Sequence, residues 1–156
     1  MDPGRQLKWL RAFLLFSFLV CIPAFAYFVY VGAEARIFRL AIEQSTAAAI
    51  STSEQYVAIT REVKKEYDIL EAMLANPANR DNPDLGDFVE GRREHLAEIQ
   101  ALLKNAWENL DEGRIAIRNT EAFDYDTLVY AEICFEVAHK KLKEAGEELH
   151  SYQKMI

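Results

Sequence analysis

From Ala12 to Ala33 the sequence AFLLFSFLVCIPAFAYFVYVGA holds no charged side chain, while Arg5, Lys8 and Arg11 stand before it and Glu34, Arg36 and Arg39 after it. About 22 residues rising about 1.5 Å each give a helix of about 33 Å, close to a hydrocarbon core of about 30 Å. The pattern predicts a basic N-terminal tail over residues 1–11 and one transmembrane helix over residues 12–33. Pro23, in mid-span, either kinks that helix or marks the place where another transmembrane helix packs. A processed alternative exists, because Ala24 and Ala26 after the apolar stretch form a plausible signal-peptidase site with cleavage after Ala26. The run YFVYVGA continues the apolar pattern beyond that site and favours an anchor.

Past the apolar run the rhythm becomes helical and amphipathic. No glycine or proline interrupts Ala33 to Asn76, and Ile42, Ala49, Tyr56, Val63 and Leu70 recur at sevenfold spacing, with Ile59, Tyr67, Met73 and Leu74 filling the lower turns of a buried stripe. A first helix over about residues 34–75 follows. The prolines and asparagines of NPANRDNPD, residues 76–84, then stop the chain and set up a second helix over about 84–118, capped by Asp84. Its seam is Leu85, Val89, Arg92, Leu96, Ile99, Leu103, Ala106 and Leu110, and it either runs on past Gly113 to Ile117 or frays at Asp111–Gly113. After NTEAFDYDT a third helix is predicted over about 127–155, capped by Asp126 or Thr127. Its seam of Leu128, Ala131, Phe135, Ala138, Leu142, Ala145, Leu149, Tyr152 and Ile156 alternates large residues with alanine over most of its length, a pattern suited to a close helix pair. Val129, Ile133 and Val137 widen the apolar face at its start, so this half of the helix is expected to contact more than one neighbour. The fold class is therefore all-α: one N-terminal transmembrane helix continuing into an antiparallel three-helix bundle or coiled coil over residues 34–156.

Charge sharpens this picture. The net charge is −7, and Asp2, Arg5, Lys8 and Arg11 contribute +2 before the span, leaving −9 for residues 34–156. So acidic a domain disfavours nucleic acid and flat docking on anionic lipid. The cations ahead of the span place the N-terminus in the cytoplasm and the domain on the far side of the membrane. Cys21 falls in the span and Cys134 in the third helix, so two free thiols are expected.

Few residues suggest chemistry. Glu132, Glu136 and His139 include one E-x-x-H step, the unit from which di-iron bundles are assembled, but a full site needs a second such pair and further carboxylates. A solvated charged face explains them more simply, and neither a cofactor nor a metal is expected. Arg92 breaks the second seam, either snorkelling from the bundle edge or pairing with a first-helix carboxylate. The small side chains of STAAAISTS, residues 45–53, either pack closely within the bundle or receive a partner's helix. On the second reading the partner-binding residues are Pro23 in the span, Ser45, Ala48, Ala49 and Thr52 above it, and Trp107 at the bundle edge. Phe88, Phe123 and Tyr125 are further edge aromatics.

No nucleophile turn or phosphate loop is present in the sequence. The expectation is a non-enzymatic accessory or scaffold subunit of a larger membrane complex, partnered by membrane protein subunits and by the bilayer through residues 12–33, with self-association left open. Alternatives are a sensory or solute-binding ectodomain, a phage-type envelope-connecting protein and, least favoured, a metal-dependent bundle enzyme.

Overall fold

A computed structural model of the chain describes residues 3–79 and 82–154, with side chains from Lys8 onward. Met1, Asp2, the Arg5 side chain, Arg80, Asp81 and the seam and helix-end positions Met155 and Ile156 lie outside the described residues. The described chain is helical, with no strand: α1 Pro3–Ala75, a short 3₁₀ turn at Pro77–Asn79, α2 Leu85–Asn119 and α3 Tyr125–Lys154. The helix begins at Pro3 rather than after a tail, since proline at a first helical position loses no intrahelical bond. The chain divides into two compact units, Met1–Ala41 and Ile42–Ile156. In the first, α1 contains Pro23 without a break in helix and carries an 18-residue stretch of mean hydropathy 2.4 with none of it buried. That stretch is long and apolar enough to cross a membrane.

Local chemistry sets the helix ends of the second unit. Asn76 precedes a proline, which disfavours helical backbone there. The Asn79 amide donates to the Met73 carbonyl at 2.9 Å and so satisfies a group that the end of α1 leaves open. Asp84 makes no side-chain cap to α2; instead the Asn82 side-chain oxygen accepts its N–H at 3.1 Å, turning the chain two residues earlier than predicted. The α3 cap is Asp124 rather than Asp126 or Thr127. Its carboxylate accepts the Thr127 N–H at 3.1 Å and the Thr127 hydroxyl at 2.5 Å. Phe123 takes a left-handed conformation, φ 67°, to make the turn before it.

The second unit is a helical bundle. Gly113 beside Phe135, Tyr130 on Glu112 and Arg92 on Tyr152 order α2 antiparallel to α3, and Ser45 on Glu132 with Glu66 on Gln153 run α1 parallel to α3. Cα atoms of α2 and α3 approach within 8 Å, as the alanines of the α3 seam allow. Every described residue of that seam, Leu128 to Tyr152, is buried. In one cluster Val63 and Leu70 of α1 pack with Val89, Leu96, Ile99 and Leu103 of α2 and Leu142, Leu149 and Tyr152 of α3. A second gathers Ala49, Leu110, Ala116, Ala131, Phe135 and Ala138. Helix α2 passes Asp111–Gly113 without fraying because Gly113 is buried directly under the Phe135 ring. Leu74, expected on the buried side, is 43% exposed. The first half of α3 meets both α1, through Ser45 and Ala49, and α2, through Glu112 and Gly113, but Val129 and Ile133 themselves are each left 52% exposed.

Candidate functional site

The α1 seam decides where the small-residue stretch goes. Ser45, Ala49 and Thr52 follow the four-then-three rhythm continued by Tyr56, Ile59, Val63, Glu66, Leu70 and Met73, and all three are buried, at 2%, 7% and 5% exposure. These residues face the chain's own bundle. Ala48 lies off that seam and is exposed. It lines an α1–α3 groove of about 460 Å³ that also brings Ser45 and Thr52 together with Glu132, Glu136 and His139. The Ser45 hydroxyl donates to Glu132 Oε1 at 3.5 Å, and His139 Nδ1 lies 3.1 Å from Gln55 Oε1. Opposite the E-x-x-H step therefore stand hydroxyls and an amide. Among the described residues no group of three or more His, Cys, Asp or Glu side chains is placed to hold a metal.

The exposed apolar face lies on the other flank of α3. At about 100° per residue, Tyr130 and Val137 point about 180° away from Glu132 and His139, which face α1. With Ile133 and Val129 they form a stripe that stops at Lys140 and Lys141. All four are between 37% and 52% exposed, and Ile115 on α2 adds another side chain at 46%. The Tyr130 hydroxyl donates to Glu112 Oε2 at 3.0 Å and bridges to α2. Hydrogen bonding to Cys134 and Glu112 pushes its pKa up to about 12, so it stays a neutral donor at any physiological pH. Sequence reading named Val129, Ile133 and Val137 as a widened contact face but not Tyr130 or Ile115, because apolar spacing reports a face and not what covers it. Trp107, 40% exposed, rests on Tyr56 with ring centroids 5.1 Å apart, closing the α1–α2 edge. Pro23 lies on the exposed apolar stretch of α1. Both cysteines are free, Cys21 exposed and Cys134 buried.

At the opposite end of the bundle Arg92 neither snorkels nor pairs with a carboxylate. It is 8% exposed, donates from Nη1 to the Tyr152 carbonyl at 2.9 Å, and stacks its guanidinium 3.5 Å from the centre of the Tyr152 ring. The ring face attracts the cation, and the carbonyl lies near the negative end of α3. Nearby, the Gln153 amide donates to Glu66 Oε1 at 2.9 Å, and His95 Nε2 lies 3.3 Å from Glu148. Burial raises the Tyr67 hydroxyl pKa, with Arg93 opposing the shift. This network ties the three helices together at this end of the bundle, and Gln153 also lines an α1–α3 groove of about 380 Å³ with Ile59, Glu62 and His150. Glu66 is a buried residue the sequence reading passed over, although its seventh-residue spacing from Ser45, Thr52 and Ile59 marks it.

Comparisons with protein-family models, with curated proteins and with solved structures give no match.

Proposed function

We propose that this chain is a single-span membrane protein without enzymatic activity, acting as an accessory or scaffold subunit of a larger membrane complex. Residues 12–33 cross the bilayer with the N-terminus on the cytoplasmic side, and the acidic bundle stands on the other side as the holding domain. The observation that carries this reading is the uncovered stripe of Val129, Tyr130, Ile133 and Val137 on α3, with Ile115 on α2, each between 37% and 52% exposed. A contiguous apolar patch with a polar surround is the usual mark of an interaction surface. The charge of −9 over residues 34–156 selects a partner whose docking helix carries basic residues beside its apolar stripe, and opposes a second copy of this chain.

The test is purification in a gentle detergent, with identification of the proteins retained by the intact chain and by an Ile133→Asp, Val137→Asp variant. The proposal expects a defined membrane subunit to accompany the first and to be lost from the second, with the helix content of both equal by circular dichroism. Equal retention by the two, or a mature chain beginning at Tyr27 and found free of the membrane fraction, overturns it.

A further inference from the structure

The end of the bundle that holds Ala49 contains a second groove, between α1 and α2, of about 350 Å³. It is lined by Ala49 of the core, by Ile117, half-buried against that core, and by Ile50, which is 57% exposed. Arg114 and Arg118, one helical turn apart on α2, stand at its edge. Among the described residues neither guanidinium has an ion-pair or hydrogen-bond partner. One carboxylate, Glu54, shares the lining, so the groove carries a local charge of +1 within a domain of −9. A positive, largely apolar pocket in an acidic bundle selects for a ligand with the opposite pattern.

We infer that this groove binds a single-chain anionic amphiphile, a long-chain carboxylate. Arg114 and Arg118 hold its head and its alkyl chain lies along Ile50, Ala49 and Ile117. A carboxylate matches the planar fork of arginine and forms paired, charge-assisted hydrogen bonds with it. The volume sits at the low end of the roughly 300–1,000 Å³ of small-molecule sites, which suits one chain better than two. There is room for a tail: an adjoining cavity of about 290 Å³ shares Ser53 and Glu54 with the groove and continues past Val57, itself 50% exposed. The inference stands on the α1–α2 side of the bundle and does not depend on what covers the α3 stripe.

The experiment places the full chain in phosphatidylcholine nanodiscs with palmitate bearing a diazirine on its chain, irradiates, and maps the label by peptide mass spectrometry. Label is expected on the peptides holding Ile50 and Ile117, competed away by excess palmitate but not by hexadecanol, which has the tail without the charge, nor by acetate, which has the charge without the tail. Arg114→Gln with Arg118→Gln should reduce that label about tenfold, the scale of losing charge-assisted hydrogen bonds, while label in residues 12–33 stays constant. Ser53→Phe, which fills the groove and leaves its charge unchanged, should abolish it as well, and circular dichroism establishes that each variant remains folded. Equal competition by hexadecanol, label confined to residues 12–33, or stronger competition by two-chain phosphatidic acid than by palmitate overturns the inference.

Discussion

Replacing Gly113 with alanine pushes a methyl group into the Phe135 ring. A Cβ built on this backbone falls 2.5 Å from Cε1, 2.9 Å from Cδ1 and 3.0 Å from Cζ, where packed carbons stay roughly 3.5–4.0 Å apart. The ring has little freedom to move away, since Phe135 is 3% exposed and packed in the cluster of Leu110, Ala131 and Ala138, with the α1–α3 groove that it lines on its other side. At an open helical site the same exchange stabilises by about 1 kcal/mol through backbone entropy. Overpacking a filled core costs about 1–3 kcal/mol, so the two effects leave a net loss of up to about 2 kcal/mol at position 113. Gly91, on the same helix, supplies the reference: nothing lies within 4 Å of its built Cβ, and Gly91→Ala should stabilise by about 0.5–1 kcal/mol. Urea unfolding of the full chain in non-ionic detergent, followed by circular dichroism, measures both. Phe135→Leu removes the ring edge and should make Gly113→Ala less damaging in the double variant than in the single one. If Gly113→Ala stabilised as much as Gly91→Ala, the close approach of α2 to α3 would be wrong.

Other perturbations follow from the same packing. Ala49→Leu should cost about 1–3 kcal/mol by overfilling the cluster around Leu110 and Phe135, whereas Ala48→Leu, on the exposed side of the same turn, should change stability by less than about 0.5 kcal/mol, both read from urea midpoints. Arg92→Ala should cost about 2–4 kcal/mol, because it removes a charged hydrogen bond to the Tyr152 carbonyl and a desolvated stack on its ring; Arg92→Lys, lacking the planar fork, should recover little in the same melts. The Asp124 carboxyl is held below the ordinary range, chiefly by hydrogen bonds from the Thr127 side chain and backbone. A lowered folded pKa adds stability above the unfolded carboxylate value and loses it as pH falls through the folded one. Wild type should therefore melt above Asp124→Ala at neutral pH, with the difference in melting temperature narrowing below about pH 4.

The seams were legible because burial in a bundle imposes a strict three-four rhythm, and the alanines at 131, 138 and 145 even announced the close α2–α3 pair. Caps were less legible. Asn82, Asp84, Asp124, Asp126 and Thr127 are all good capping types, and only the backbone path decides which side chain reaches an open N–H. Arg92 was visible as an anomaly but its partner was not, since the Tyr152 ring and carbonyl lie 60 residues away in sequence. Ser45, Thr52 and Glu66 were masked by polarity, although their spacing places them on the buried side of α1. For the candidate surface, the apolar spacing of Val129, Ile133 and Val137 signalled a contact without saying whether its other half belongs to this chain. The grooves beside α1 had no sequence signature, because Arg114 and Glu132 come to line them only through helices distant in the chain.

Site-specific photocrosslinking from Ile133 in intact membranes tests the central claim most directly. A benzoylphenylalanine there, with a second chain carrying it at Lys104 on a solvated part of α2 as the control, reports whether another protein covers the apolar stripe while the chain remains in its membrane. A discrete heavier product from position 133, absent at 104 and containing a membrane protein other than a second copy of this chain, is the predicted result. No product at 133, or one made only of two copies of this chain, would contradict it.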